Sequence, residues 1–248
     1  MLTVKPWRAD AVIQFCGSLM AGFFLGSLII GLLNQWGVAA FRLPDGFGAV
    51  VVATLSFQGL AWGLITIFLW QHELSWPEAF GWRDPQRARA LRLALLTVAV
   101  LLPVLWLLQA VAVTVLTRLG WPPEDQTAVQ LFESAHSLWG RLYIGVFAVV
   151  LAPVAEEFIF RGMLFPFVKQ LGFPRLAWFG VSGLFALIHV NAAIFVPLFV
   201  LALALTWLYE KTDNLLASIT AHATFNAVNV VLLIAEPWYR AHYHLTGS

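Results

Sequence analysis

The chain has 248 residues, of which 60% are hydrophobic and 11% are charged, against roughly 25% charged in an ordinary soluble domain. Fourteen basic and thirteen acidic residues leave a net charge of +1, so there is no basic excess for binding nucleic acid, and the high hydrophobicity is the reverse of a disordered composition. With one cysteine, Cys16, a disulfide framework is ruled out, and the composition describes a polytopic membrane protein.

A membrane-crossing helix needs about 20 largely apolar residues. In chain order such runs are predicted at Ala11 to Leu33, Gly48 to Trp70 and Leu93 to Leu116. A fourth runs from near Leu142 past Phe160, and a short fifth covers Leu176 to Val190. The sixth covers Ala192 to Tyr209 and the seventh Leu215 to Ala235. The runs are continuous, without the two-residue alternation of a membrane β-barrel. The expected fold is therefore all-α: a transmembrane helix bundle of about seven spans in one integral-membrane domain, residues 1–248.

Placing the N-terminus inside puts Lys5, Arg8, Arg83, Arg87, Arg89, Arg92, Arg161, Lys169, Arg175 and Lys211 on the cytoplasmic side. Arg42, Arg118, Arg141 and Arg240 fall opposite. Ten against four obeys the positive-inside rule. The first run is long for a signal peptide and has no small-x-small cleavage pattern, so it is expected to be retained. Gly22 and Gly26 form a GxxxG step suited to close helix packing. Trp36, Trp70, Trp121, Trp139 and Trp238 fall at span ends, where indole favours the lipid–water boundary. Two longer connections, Gln71 to Arg92 and Thr117 to Arg141, carry a basic helical run and a short amphipathic stretch from Thr127 to Phe132. His136, His242 and His244 lie in polar flanks.

Polar groups within the spans are costly and mark functional candidates. They concentrate in the second half, at Glu156, Glu157 and Arg161, then His189, then His222, Asn226 and Asn229. On a helix, Glu157 and Arg161 share a face in the favourable acid-before-base order and can neutralise one another. Glu156 points about 100° away and has no partner in its own helix, which leaves it free to act as a general base. His189 can relay a proton or hold a water. His222 and Asn226, four residues apart, share a face and offer N–H groups to a developing oxyanion. At 1.5 Å per residue, Glu156 and His222 lie about 13 and 10 Å from the cytoplasmic ends of their spans, and His189 about 20 Å. These depths favour entry from the cytoplasm. A polar cavity among the C-terminal spans follows from the residues alone, with hydrolysis as one use of it. Zinc held by Glu156, His189 and His222, a partner-sequestering cavity and a proton-coupled transporter are others.

The order Glu156-Glu157-x-x-x-Arg161, Phe185-x-x-x-His189, His222-x-x-x-Asn226 resembles the CPBP family. This is the CAAX-protease and bacteriocin-processing group of intramembrane glutamic endopeptidases, also called Abi or Rce1-like. The resemblance implies a catalytic core at about 140–235 in which Glu156 and His189 activate water and His222 and Asn226 hold the oxyanion, with Glu157, Arg161 and Phe185 in support. It further implies metal-independent hydrolysis without a cofactor. The partners implied are membrane lipids and a peptide or protein substrate, lipidated in the eukaryotic relatives. A non-catalytic immunity role is the alternative within the same family. The short loops fit a multi-pass protein of a bacterial cytoplasmic membrane.

Overall fold

The computed structural model describes residues 2–41, 47–83, 86–124, 126–135 and 137–243, with side chains described for these except 47, 127–128 and 236–243. Arg42, Asp125, His136 and His244, and the side chains of Trp238, Arg240 and His242, lie outside the described residues. Six described helices are long and apolar enough to cross a membrane. They are α1 (Ala9–Gln35), α2 (Gly48–Gln71), α4 (Arg87–Arg118), α6 (Leu138–Gln170), α8 (Ala192–Thr212) and α9 (Leu215–Tyr243). Shorter helices sit between them: α3 (Trp76–Ala79), α5 (Thr127–Ser134) and α7 (Leu176–Leu187). No strand occurs among the described residues. The protein is an all-helical, multi-pass integral membrane protein.

The fifth predicted span is α7, shorter than its apolar run. Its 12 residues cover about 18 Å, little more than half of a bilayer core. The chain turns at Val190, where φ is +47°. Asn191 then caps α8 by accepting hydrogen bonds from the Ala193 and Ile194 N–H groups at 3.0 and 3.4 Å. An Asn that can satisfy two free N–H groups is a strong helix start, and here it overrides the apolarity that would have carried α7 onward.

Sequence and packing agree elsewhere. The expected basic run forms the first turns of α4, which is 32 residues long. Trp36, Trp70, Trp121 and Trp139 are all exposed, as belt residues should be. A Cβ at Gly22 would strike Leu60, and one at Gly26 would strike Ser56. The GxxxG step is therefore where α1 and α2 meet. Arg161 departs from its topological count: it is fully buried, so the loops carry nine basic residues on that side rather than ten.

The end of the bundle bearing those basic residues is closed by aromatic side chains. Phe158 of α6 meets Phe80 at 4.7 Å and Trp76 at 5.1 Å between ring centroids, with Trp62 and Trp82 close by. The Leu215 N–H donates to the Phe80 carbonyl at 3.0 Å, tying the loop beside α3 to the start of α9. The extended N-terminal segment lies across the same end. Its buried Lys5 pairs with Asp213 at 3.1 Å, Gln170 donates to the Lys5 carbonyl at 2.7 Å, and the Trp7 indole donates to the Gly162 carbonyl at 2.9 Å.

Candidate active site

Helix α6 places the acids, and two irregularities in it shape the site. Its backbone widens into π-helical turns at Phe147–Leu151 and Phe158–Leu164, each followed closely by a proline, Pro153 and Pro166. Proline has no N–H to donate. In the first wide turn the Ala152 N–H bonds back to Phe147, and the next residue is Pro153, so the Ala148 carbonyl loses its helical donors. Asn226 of α9 supplies one, its Nδ2 donating to that carbonyl at 2.8 Å. In the second wide turn the residue four after Gly162 is Pro166, and Trp7 donates to the Gly162 carbonyl instead. Such freed carbonyls in an apolar medium must be met by neighbouring side chains. Two helix defects thereby become two tethers, one on each side of Glu156-Glu157.

Glu157 and Arg161 are completely buried. Glu157 Oε1 accepts from Arg161 Nη1 at 2.9 Å and from His222 Nδ1 at 2.9 Å. Arg161 Nη2 donates to the Ala202 carbonyl of α8 at 3.0 Å, and its guanidinium lies 4.6 Å from the Phe185 ring centroid. The ion pair is thus formed as the spacing suggested, but through one oxygen. The bidentate geometry available to such a pair does not form: the second guanidinium N–H satisfies the Ala202 carbonyl, and Glu157 Oε2 and Arg161 Nε have no hydrogen-bond partner among the described residues.

With Nδ1 of His222 donating to Glu157, its Nε2 faces Glu156 Oε2 at 3.8 Å. That separation exceeds an N–H···O hydrogen bond. Glu156 has 15% of its side chain exposed, against 4% for His222. Glu156 is the only residue from Ala155 to Met163 that is not buried.

His189 follows α7 and its Nδ1 lies 2.7 Å from the Phe185 carbonyl, which fixes that nitrogen as the donor and leaves Nε2 free. Phe185 lies beneath both rings, 5.0 Å from His189 and 5.6 Å edge-on from His222. It joins the two imidazoles and the guanidinium in one packed group. Among the described residues, no three His, Cys, Asp or Glu side chains stand together as a metal-ligand set. Sequence reasoning missed Trp7, and the contact of Glu157 with His222. A proline just before the paired acids, with an Asn on a later span, was the available signal for the Asn226 tether.

This constellation lies within a stretch with known relatives. Residues 138–228 match the family model of Rce1-like, Type II CAAX prenyl endopeptidase Rce1-like. The chain carries an Rce1-like segment. It holds every motif residue named above, from Glu156 to Asn226, and the resemblance read from those motifs is found over the helices that bear them. A second likeness is to the UPF0177 protein YxdF of Lactococcus lactis subsp. lactis (strain IL1403), 30% identical over 78 residues. That alignment takes in 31% of this chain and 42% of the relative, so the chain matches less than half of that protein's length. No solved structure matches.

Proposed function

We propose that the protein is an endopeptidase of a bacterial cytoplasmic membrane, with its N-terminus inside, and that Glu156 activates the water. The observation that carries this reading is the facing of Glu156 Oε2 and His222 Nε2 across 3.8 Å, beside a fully buried Glu157–Arg161 pair. Glu157 is spent on two hydrogen bonds, whereas Glu156 has none within its helix and is partly open. In the reaction the water oxygen adds to the scissile carbonyl carbon while its proton passes to Glu156. The C–N bond then breaks and that proton goes to the leaving amine. His189 Nε2, its other nitrogen already committed, assists in holding the water. The second Asn226 N–H donates to the developing oxyanion, as such donors do in acyl transfer; with its Nδ1–H given to Glu157, the His222 ring joins it as a donor only in its doubly protonated form. Asn226 also acts through the backbone, because its bond to Ala148 sets the position of α6 relative to α9. Phe185 holds both rings in register.

The test is cleavage of a membrane-anchored reporter peptide by purified protein. Glu156→Gln keeps the shape and removes the base, which costs about 10²- to 10⁴-fold in rate. Full cleavage by that variant, with wild-type melting behaviour, overturns the assignment.

A further inference from the structure

Resting on the hydrolytic reading above, we infer that the scissile bond reaches Glu156 from the extracytoplasmic half of the bundle. The substrate class is then an exported or outward-projecting polypeptide segment rather than a cytoplasmic tail. Three helices carry the argument independently, because each bears its site residue at the same boundary.

On α6 the residues from Phe158 to Met163, toward the basic end, are all buried, while none of Phe147–Leu151 is buried. On α9, Leu215, Ala217, Ser218, Ala221 and His222 are buried, whereas every residue from Ala223 to Val230 is half-buried. A closely packed helix has a buried stripe and an exposed stripe. Eight consecutive residues with neither mean that the inward face of this half is not filled. On α7, Val181, Ser182, Phe185 and Ala186 are buried, and Leu187 to Val190 are not. Above His222 on its own face come Asn226 and Asn229, whose Oδ1 accepts from Trp106 at 3.2 Å, so this half is polar as well as loosely packed.

Below the boundary the described residues next to the acids are closely packed. Phe158, Phe80 and Leu215 are buried, the aromatic group around Phe158 fills the space beneath the acids, and Trp7 closes the outer side of α6 through Gly162. A polypeptide coming from that end would have to displace this whole plug. The plugged end carries Lys5, Arg8, Arg83, Arg87, Arg89, Arg92, Lys169, Arg175 and Lys211, and the positive-inside rule makes it cytoplasmic. The open half therefore faces out, and packing reverses the direction that depth alone favoured.

Sidedness is measurable without knowing the natural substrate. With Cys16→Ser removing the one native thiol, Ala223→Cys and Val149→Cys report the open half at two helices, and Ser218→Cys reports the plugged half. A membrane-impermeant, positively charged thiosulfonate is applied to sealed right-side-out and inside-out vesicles holding the full chain. Modification of both open-half positions is expected several-fold faster in right-side-out vesicles, with Ser218→Cys unmodified in either. Faster modification from the cytoplasmic side, modification from neither side, or reaction of Ser218→Cys from inside would overturn the inference. Cleavage by detergent-solubilised protein is scored separately: cleavage together with labelling only from inside removes the access route and leaves the peptidase reading intact.

Discussion

Replacing Glu157 by glutamine removes one charge from a pair that has no water to fall back on. Both side chains are fully buried, and the Arg161 guanidinium would remain beneath Phe185 with only neutral acceptors. Breaking a buried pair by removing one partner costs about 3–5 kcal/mol. For a chain of this size each kcal/mol moves the melting temperature by about 2–4 °C, so the expected drop is about 6–20 °C. The assay is a melting curve of purified protein in one detergent at fixed pH. A second variant, Glu157→Gln with Arg161→Met, removes both charges at similar volume. Because replacing a whole buried pair is often neutral or stabilising, the double variant should recover much of the loss, although His222 still lacks its charged partner. A single variant that melts within about 2–4 °C of wild type, equivalent to about 1 kcal/mol, would refute the reasoning. So would a double variant no more stable than the single.

The remaining predictions use other parts of the same framework. Trp7→Phe keeps the ring but strips the Gly162 carbonyl of its donor, and a buried acceptor left unpaired costs about 1–3 kcal/mol, to be read from the same melting curve. Gly26→Val pushes a side chain into Ser56 and should loosen the α1–α2 contact by about 1–3 kcal/mol, seen as a lowered melting point with Gly17→Val, which meets nothing nearby, as the silent control. The Ser75 hydroxyl and N–H both donate to Glu78 at the start of α3, and those bonds together with Arg83 hold its carboxyl below the usual carboxylate range. Its contribution is therefore present above the unfolded value of about 4.3 and disappears as pH falls through the lower folded value. Amide exchange at Glu78, Ala79 and Phe80 should accelerate only in that acid window, and acceleration at neutral pH would count against the cap.

The bundle and the identity of the polar residues could be read from the chain because both follow from composition and spacing. Twenty apolar residues have few alternatives to a helix in lipid, and Glu157 with Arg161 four residues on has an obvious pairing. Three features escaped that logic. The end of α7 depends on Asn191 capping α8, a local competition that an apolar run conceals. Burial of Arg161 depends on a carbonyl of α8 that sequence spacing does not place. The role of Asn226 in bonding to Ala148 depends on a wide turn joined to a proline, and the turn is visible only once the backbone is traced. Assigning that amide to the oxyanion alone left out half of what its two N–H groups can do.

The link between Trp7 and Gly162 joins positions 155 residues apart, and Lys5 reaches still further, to Asp213. During synthesis the leading residues emerge long before either partner exists, so they must wait, unanchored, until nearly all the helices have been inserted. Locking Lys5 and Trp7 down is then a late step of assembly. A bulky fusion placed ahead of Thr3 would hinder that step, while leaving insertion of the individual spans untouched.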